Sequence, residues 1–192
     1  MPPISGEDWY ARDLSGETFR DCTFRDVDLT ESTSRGATFE SCVFDGCRFN
    51  ASRHTGSAFV ACEFRGTSFF SAELDGCKLT GSVFVRCTLR PLTISGGQWR
   101  SVTLRGARLN GLVLDGVGLA EADLSDADLS NTSMRGCDLS RAAMRNATLT
   151  GTDLRGATLA GVDLDQVRLS GARLDLAGAL ALAEAHGAIV ED

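Results

Sequence analysis

Every fifth residue of this chain is of one kind. Thirty-three positions ending in 4 or 9 lie between Leu14 and Leu174, and thirty-one of them are apolar: eighteen Leu, nine Phe, Met134, Met144, Ile94 and Trp99. Only Ser34 and His54 interrupt the row, and no insertion shifts its register. A fixed internal period decides the architecture before any local reading. A period of five suits neither ordinary element. On an α-helix five steps advance a side chain by about 140°, so no apolar face forms. On one continuous strand five steps turn it to the opposite side. Each pentapeptide must therefore be a short straight segment followed by a corner, wound so that every fifth side chain points at one axis.

A second register agrees. Two residues before the centres lie small side chains, among them Cys22, Val27, Ala37, Cys42, Cys47 and Cys62. Two residues after the centres glycine recurs, where a corner needs conformational freedom. Three sides or four both suit the period. Ser34 and His54 stand twenty residues apart, as do Cys22, Cys42 and Cys62, so a four-sided coil stacks them and lets Ser34 and His54 satisfy each other. Four sides are expected, with eight coils giving a rod of about 38 Å.

The usual catalytic kit is thin. The chain has two His, one Tyr and one Lys, with no phosphate-binding glycine loop and no nucleophile elbow. The seven Cys sit in the small inward series and form no Cys-x-x-Cys pair, so they read as packing rather than as a metal site or disulfides. No enzyme activity, cofactor or metal is expected. No run of eighteen apolar residues and no charged-then-apolar leader is present, which points to the cytoplasm.

The ends differ from the middle. Residues 1–11 read as a lead-in or cap, residues 12–175 as the repeat, and residues 176–192 as a helix and tail. Asp175 is placed to cap a helix from Leu176 to about His186, with Gly187 ending it. The apolar Leu176, Leu180, Leu182, Ile189 and Val190 fit either an intramolecular cap or a two-fold dimer.

The tandem Ala122-Asp123-Leu124-Ser125-Asp126 and Ala127-Asp128-Leu129-Ser130-Asn131 resembles the pentapeptide repeat family. The irregular stretches Arg53–Phe59, Gly81–Thr93 and Ala183–Gly187 resemble its mycobacterial fluoroquinolone-resistance branch. That resemblance implies an all-β fold, a right-handed quadrilateral β-helix with a short C-terminal α-helix. It implies a homodimer joined at the C-terminal end. It also implies a DNA mimic that binds DNA gyrase and protects it from fluoroquinolones. Qnr-type relatives engage the enzyme through loops that interrupt the repeats, and this chain has none. A regulatory small GTPase is a further partner to consider.

Charge placement bears on that expectation. Residues 1–108 carry thirteen acidic and thirteen basic side chains, whereas residues 109–192 carry thirteen acidic and six basic, so the whole net charge of −7 arises in the second half. No Lys or Arg lies between Arg108 and Arg135. The candidate gyrase-facing belt is Asp115, Glu121, Asp123, Asp126, Asp128, Asp138, Asp163 and Asp165. Two such halves meeting in a dimer would imitate the regular negative charge of duplex DNA. A compact central belt suits the ATPase gate better than the DNA-cleavage saddle. A pI near 4.9 disfavours direct binding of nucleic acid. The competing reading is a generic solenoid scaffold with a charged, solubilising skin.

Overall fold

The computed structural model describes residues 3–164 and 166–190. Successive coils pair in parallel with a twenty-residue offset: Phe24 lies beside Phe44, Phe44 beside Phe64 and Phe64 beside Phe84. The first side of the coil is a sheet of Ile4–Ser5, Thr23–Arg25, Val43–Asp45, Glu63–Arg65 and Val83–Val85. The third side is a sheet of Thr33–Arg35, Arg53–Thr55, Ala72–Asp75 and Leu92–Ser95. The fourth side is a sheet of Thr18–Arg20, Thr38–Glu40 and Ala58–Val60. On the second side single residues bridge, as in Asp8, Asp28, Arg48, Ser68 and Thr88. Beyond residue 100 every side shortens to such a bridge, for example Thr103 to Asp123 to Ala143. The architecture is a right-handed quadrilateral β-helix closed by one helix, Leu176–Ala185.

Parallel, in-register coils place like on like. Coils repeat at about 4.8 Å, so the central rings must stack along each side. Phe24 and Phe44 stand 4.7 Å apart, Phe44 and Phe64 4.9 Å, and Phe39 and Phe59 4.8 Å, all nearly coplanar. Across a corner the sides meet near a right angle, and there the rings turn edge to face, as Phe44 does on Phe49 at 5.3 Å and 70°. Both arrangements suit the quadrupole of an aromatic ring.

The two polar centres pair as their spacing predicts. Ser34 Oγ lies 2.7 Å from His54 Nδ1 and 2.8 Å from Ser57 Oγ, and Ser52 Oγ lies 3.1 Å from His54 Nε2. Burial pushes the His54 pKa down to about 4, so the ring is neutral at physiological pH. The small inward series does more than fill space. Cys47 Sγ donates to the carbonyl of Phe24, Cys77 Sγ to His54, Ser82 Oγ to Phe59 and Thr152 Oγ1 to Leu129. Each reaches a carbonyl of the coil below. Thiol and hydroxyl thus share one task at this column, and the cysteines are all free.

One expectation is corrected at the start of the chain. Residues 1–11 are not a lead-in outside the period. Ile4 pairs with Phe24, and Trp9 is buried against Phe19 and Phe24, so positions 4 and 9 continue the row of centres. The inward position before Trp9 is the exposed Glu7, whose carboxylate takes the indole N–H at 2.7 Å. A long acidic residue in the small column hides the period there.

At the other end the helix forms as its capping residue dictates. Asp175 Oδ1 accepts from the Gly178 amide at 2.9 Å, and Oδ2 accepts from the Gly156 amide at 2.7 Å, which ties the cap to the coil beneath. Gly187, at φ 80°, follows the C-cap residue His186.

The ladder is not continuous. The Phe84 amide bonds to the Thr103 carbonyl at 3.0 Å, and the Gly118 amide bonds to the Gly97 carbonyl at 3.0 Å. Between these two rungs no backbone hydrogen bond among the described residues joins residues 85–96 to residues 104–117. One coil below, the same positions are zipped: Gly66 amide to Val85 carbonyl, Thr88 amide to Thr67 carbonyl and Phe69 amide to Thr88 carbonyl. Pro91 stands where a rung to residue 110 would start and has no N–H to give. The side-chain register runs through this gap unbroken, so the period alone does not reveal it.

Candidate partner-binding surface

The coil distributes the expected acidic residues around the rod rather than along one face. Asp123 bridges Thr103 and Ala143 on the first side, and Asp163 continues its column. Asp126 occupies the next corner. Asp128 belongs to the second side, Asp115 to the third, and Asp138 to the fourth, with Glu121 at the corner that follows. Asp165 lies outside the described residues.

Corners hold these carboxylates out. Glu121 and Asp126 have φ of 61° and 60°, in the left-handed region where Gly116, at φ 70°, sits in the equivalent place. A side chain there costs about 1–2 kcal/mol relative to glycine.

The stretch without Lys or Arg in sequence meets arginines in space, from the coils above and below. Sequence distance from Arg108 to Arg135 says nothing about residues twenty positions away. Glu121 is clamped between Arg100, at 2.8 Å, and Arg141, at 2.6 Å. Arg105 lies 3.1 Å from Asp123 and 3.6 Å from Asp126. Asp126 also accepts from the Asn146 amide at 3.1 Å. Arg100, then Arg141, hold the Glu121 pKa down to about 2. Burial works to raise Asp123, but Ser125 and Arg105 outweigh it and the net shift is downward.

Three carboxylates make no such direct ion pair, although Arg90 and Arg108 act on Asp128, and Arg141 and Arg100 on Asp138, from a greater distance. Asp115 accepts from Ser133 Oγ at 2.6 Å and the Arg135 amide at 2.9 Å. Asp128 accepts from the Ser130 hydroxyl and amide, and Asp138 from the Ser140 amide. None of the three forms a salt bridge among the described residues. The hydrogen bonds from Ser130 and Ser140 lower the Asp128 and Asp138 pKa values, so both stay ionised well below neutral pH.

The C-terminal end carries a second surface. Leu176 is 87% exposed, Ile189 89%, Val190 52% and Leu180 37%, whereas Leu182 turns inward against the last coil. The helix therefore covers the core with one part and leaves the rest of its apolar residues in water.

Among the described residues no cluster of His, Cys, Asp or Glu is arranged for a metal ion, and no helix is long and apolar enough to cross a membrane.

A family model described as pentapeptide repeats matches residues 18–53, 55–89, 100–136 and 137–175. The pentapeptide repeat protein MfpA of Mycobacterium tuberculosis is 43% identical over 96 residues, covering 47% of this chain and 42% of that protein. The match thus spans under half of that relative. Among solved structures, trypsin-treated QnrB1, described as a plasmid-mediated fluoroquinolone resistance protein, superposes with a TM-score of 0.76 at 22% identity over 98% of both chains. HetL, a pentapeptide repeat protein involved in heterocyst differentiation regulation from the cyanobacterium Nostoc, gives 0.54 at 22% identity over 88% of this chain and 86% of its own. At such identity these two report on the fold.

Proposed function

The chain belongs to the pentapeptide repeat family, and from that premise we propose that it binds DNA gyrase as a DNA mimic and protects the enzyme from fluoroquinolones. The observation that carries this reading is the girdle of Asp115, Asp128 and Asp138. Three carboxylates without a salt bridge sit on three different sides of one half of a loop-free rod. A groove that surrounds DNA meets charge from several sides at once, and a girdle suits it better than a single stripe. The likeness to MfpA over part of the chain supports the same direction. Glu121, Asp123 and Asp126 contribute shape and hydrogen-bond acceptors more than net charge, since arginines already neutralise them. Asp163 extends the first-side column, and Asp165 belongs to the same proposed surface. The ATPase gate, which grips one short stretch of duplex, is the preferred docking place.

The proposed assembly is a homodimer. Leu176, Leu180, Ile189 and Val190 form its contact, with Leu182 supporting them from within, and two acidic halves are brought to the centre of a rod about 75 Å long.

The scaffold reading has one observation in its favour, the arginine pairing of Glu121, Asp123 and Asp126 within the belt. Binding to purified gyrase subunits decides between them. Asp115→Asn, Asp128→Asn and Asp138→Asn together should weaken binding by about tenfold at low salt, with a smaller effect at high salt. The same variant should lose protection in a fluoroquinolone cleavage assay. A control that removes Asp21, Asp26 and Glu31 should bind as the unmodified chain does. Equal binding by both variants, or no binding by the intact chain, removes charge mimicry through this girdle.

A further inference from the structure

The gap in the ladder opens a cleft of 570 Å³ between the coil at residues 84–90 and the coil at residues 105–108. Four arginines line it: Arg86, Arg90, Arg105 and Arg108. No carboxylate does, although the chain as a whole carries −7. Arg105 is committed to Asp123 and Asp126, and Arg90 donates to Asn110 at 2.7 Å. Arg86 and Arg108 make no salt bridge among the described residues, although Arg108 bridges Asp128 along the backbone and its charge helps lower the pKa of that carboxylate. Elsewhere on this rod several arginines pair with a carboxylate one coil away, as Arg20 does with Glu40 and Arg48 with Asp28. Here the cationic groups converge instead.

Backbone donors converge on the same place. The amides of Arg86, Leu89 and Arg108, on the cleft side of the gap, are among those that the missing rungs would have used, and no described backbone carbonyl accepts from them. Unpaired amides beside guanidinium groups are the combination that phosphate oxygens satisfy. The inner wall is different in kind. Phe84 and Leu89, 6% and 5% exposed, form an apolar floor, and Ala107 faces them across the cleft. A volume of this size falls in the range of about 300–1,000 Å³ that small-molecule sites occupy. A second recess of 370 Å³ beside Arg90, Pro91, Gly111 and Leu112 continues the opening around the corner.

We propose that this cleft binds a small phosphorylated ligand of the nucleoside di- or triphosphate class. Its phosphates meet Arg86, Arg108 and the open amides, and its planar base lies on the Phe84–Leu89 floor. Several arginines match several phosphate charges, each by a two-pronged contact that a lysine cannot make. The proposal does not rest on the gyrase-binding reading, although the cleft adjoins the girdle where Arg108 stands beside Asp128.

Calorimetric titration of the intact chain with ATP, pyrophosphate and adenosine at low ionic strength tests this. ATP should bind, pyrophosphate more weakly, and adenosine not measurably. Arg86→Gln with Arg108→Gln should lower ATP affinity by about tenfold or more. Arg135→Gln with Arg168→Gln, an equal loss of charge elsewhere on the rod, should leave it unchanged. Hydrogen exchange on the unmodified chain supplies a readout that no variant can confuse, since ATP should slow the amides of Arg86, Leu89 and Arg108. Failure of ATP to bind at millimolar concentration, an equal loss in the control variant, or unchanged exchange at those amides overturns the proposal. Binding of a hexaglutamate peptide in preference to ATP also overturns it, and assigns the open strand edges to a peptide.

Discussion

Replacing Phe44 with Ala tests the inward assignment at its centre. The ring is fully buried. It stacks on Phe24 at 4.7 Å and on Phe64 at 4.9 Å, and meets Phe39 at 5.6 Å and Phe49 at 5.3 Å edge to face. Truncation of a core Phe costs about 3–5 kcal/mol when the surroundings relax only in part. Relaxation here is restricted, because parallel rungs hold the coils at fixed spacing above and below, among them the Val43 amide to the Cys22 carbonyl at 2.9 Å. Each lost ring pair adds about 0.5–1.5 kcal/mol beyond area burial, so the upper end of the range, about 5 kcal/mol, is expected. Thr33, exposed on the third side, is the control, and Thr33→Ala should change stability by less than about 0.5 kcal/mol. Urea unfolding followed by circular dichroism gives both values, at one protein concentration because dimerisation would shift the midpoint. A Phe44→Ala loss below about 1 kcal/mol, or one no larger than that of Thr33→Ala, would mean that the bore does not depend on ring stacking.

The remaining predictions concern titration, thiols and assembly. His54 is neutral in the fold with a pKa near 4 against an ordinary value of 6.5, so the unfolded chain binds the proton first. Stability should be level above pH 6.5 and fall by about 3 kcal/mol as pH drops from 6.5 to 4. His54→Leu should flatten that segment of the curve, and an unchanged slope would place the titration elsewhere. Carboxylates such as Asp28, held near 2 by Arg48, lose their contribution only below about pH 4, which separates the two windows. Thiol titration should find six cysteines silent until denaturant is added and Cys87, half-buried at the cleft, reacting first, though slowly, since burial pushes its pKa up to about 11. Early reaction of Cys47 or Cys137 would show that the inward column opens. Leu176→Asp with Leu180→Asp should convert a sedimenting dimer to monomer at micromolar concentration without a loss of β-structure, and a monomeric intact chain would remove the dimer.

Side-chain direction was legible in the sequence, because the period of five alone states which residues face the axis. Even the exceptions were readable: Ser34 and His54, twenty apart, meet at 2.7 Å. Ile4 and Trp9 went unread because Glu7 occupies a small-residue position, and the exposed end of a rod tolerates it. The partners of the acidic belt were obscured by linear distance. Written in rows of twenty, Arg100, Glu121 and Arg141 fall within one position of a single column, and that arrangement would have disclosed the clamp. The opened ladder left a fainter trace. Periodicity reports where side chains point and says nothing about which amides are paired, so only Pro91 hinted at a missing rung.

That opening also bears on how the rod comes apart. In a linear array of repeats, cooperativity passes only through the contact between neighbours. Most coils grip the next one on all four sides, but the coil ending near Gly97 holds its successor by backbone bonds only at the fourth side and the start of the first. The phenylalanine-rich block below and the leucine-rich block above are therefore joined by a weak link in an otherwise uniform chain of couplings. Unfolding that begins at either end should pause there, leaving half a rod standing.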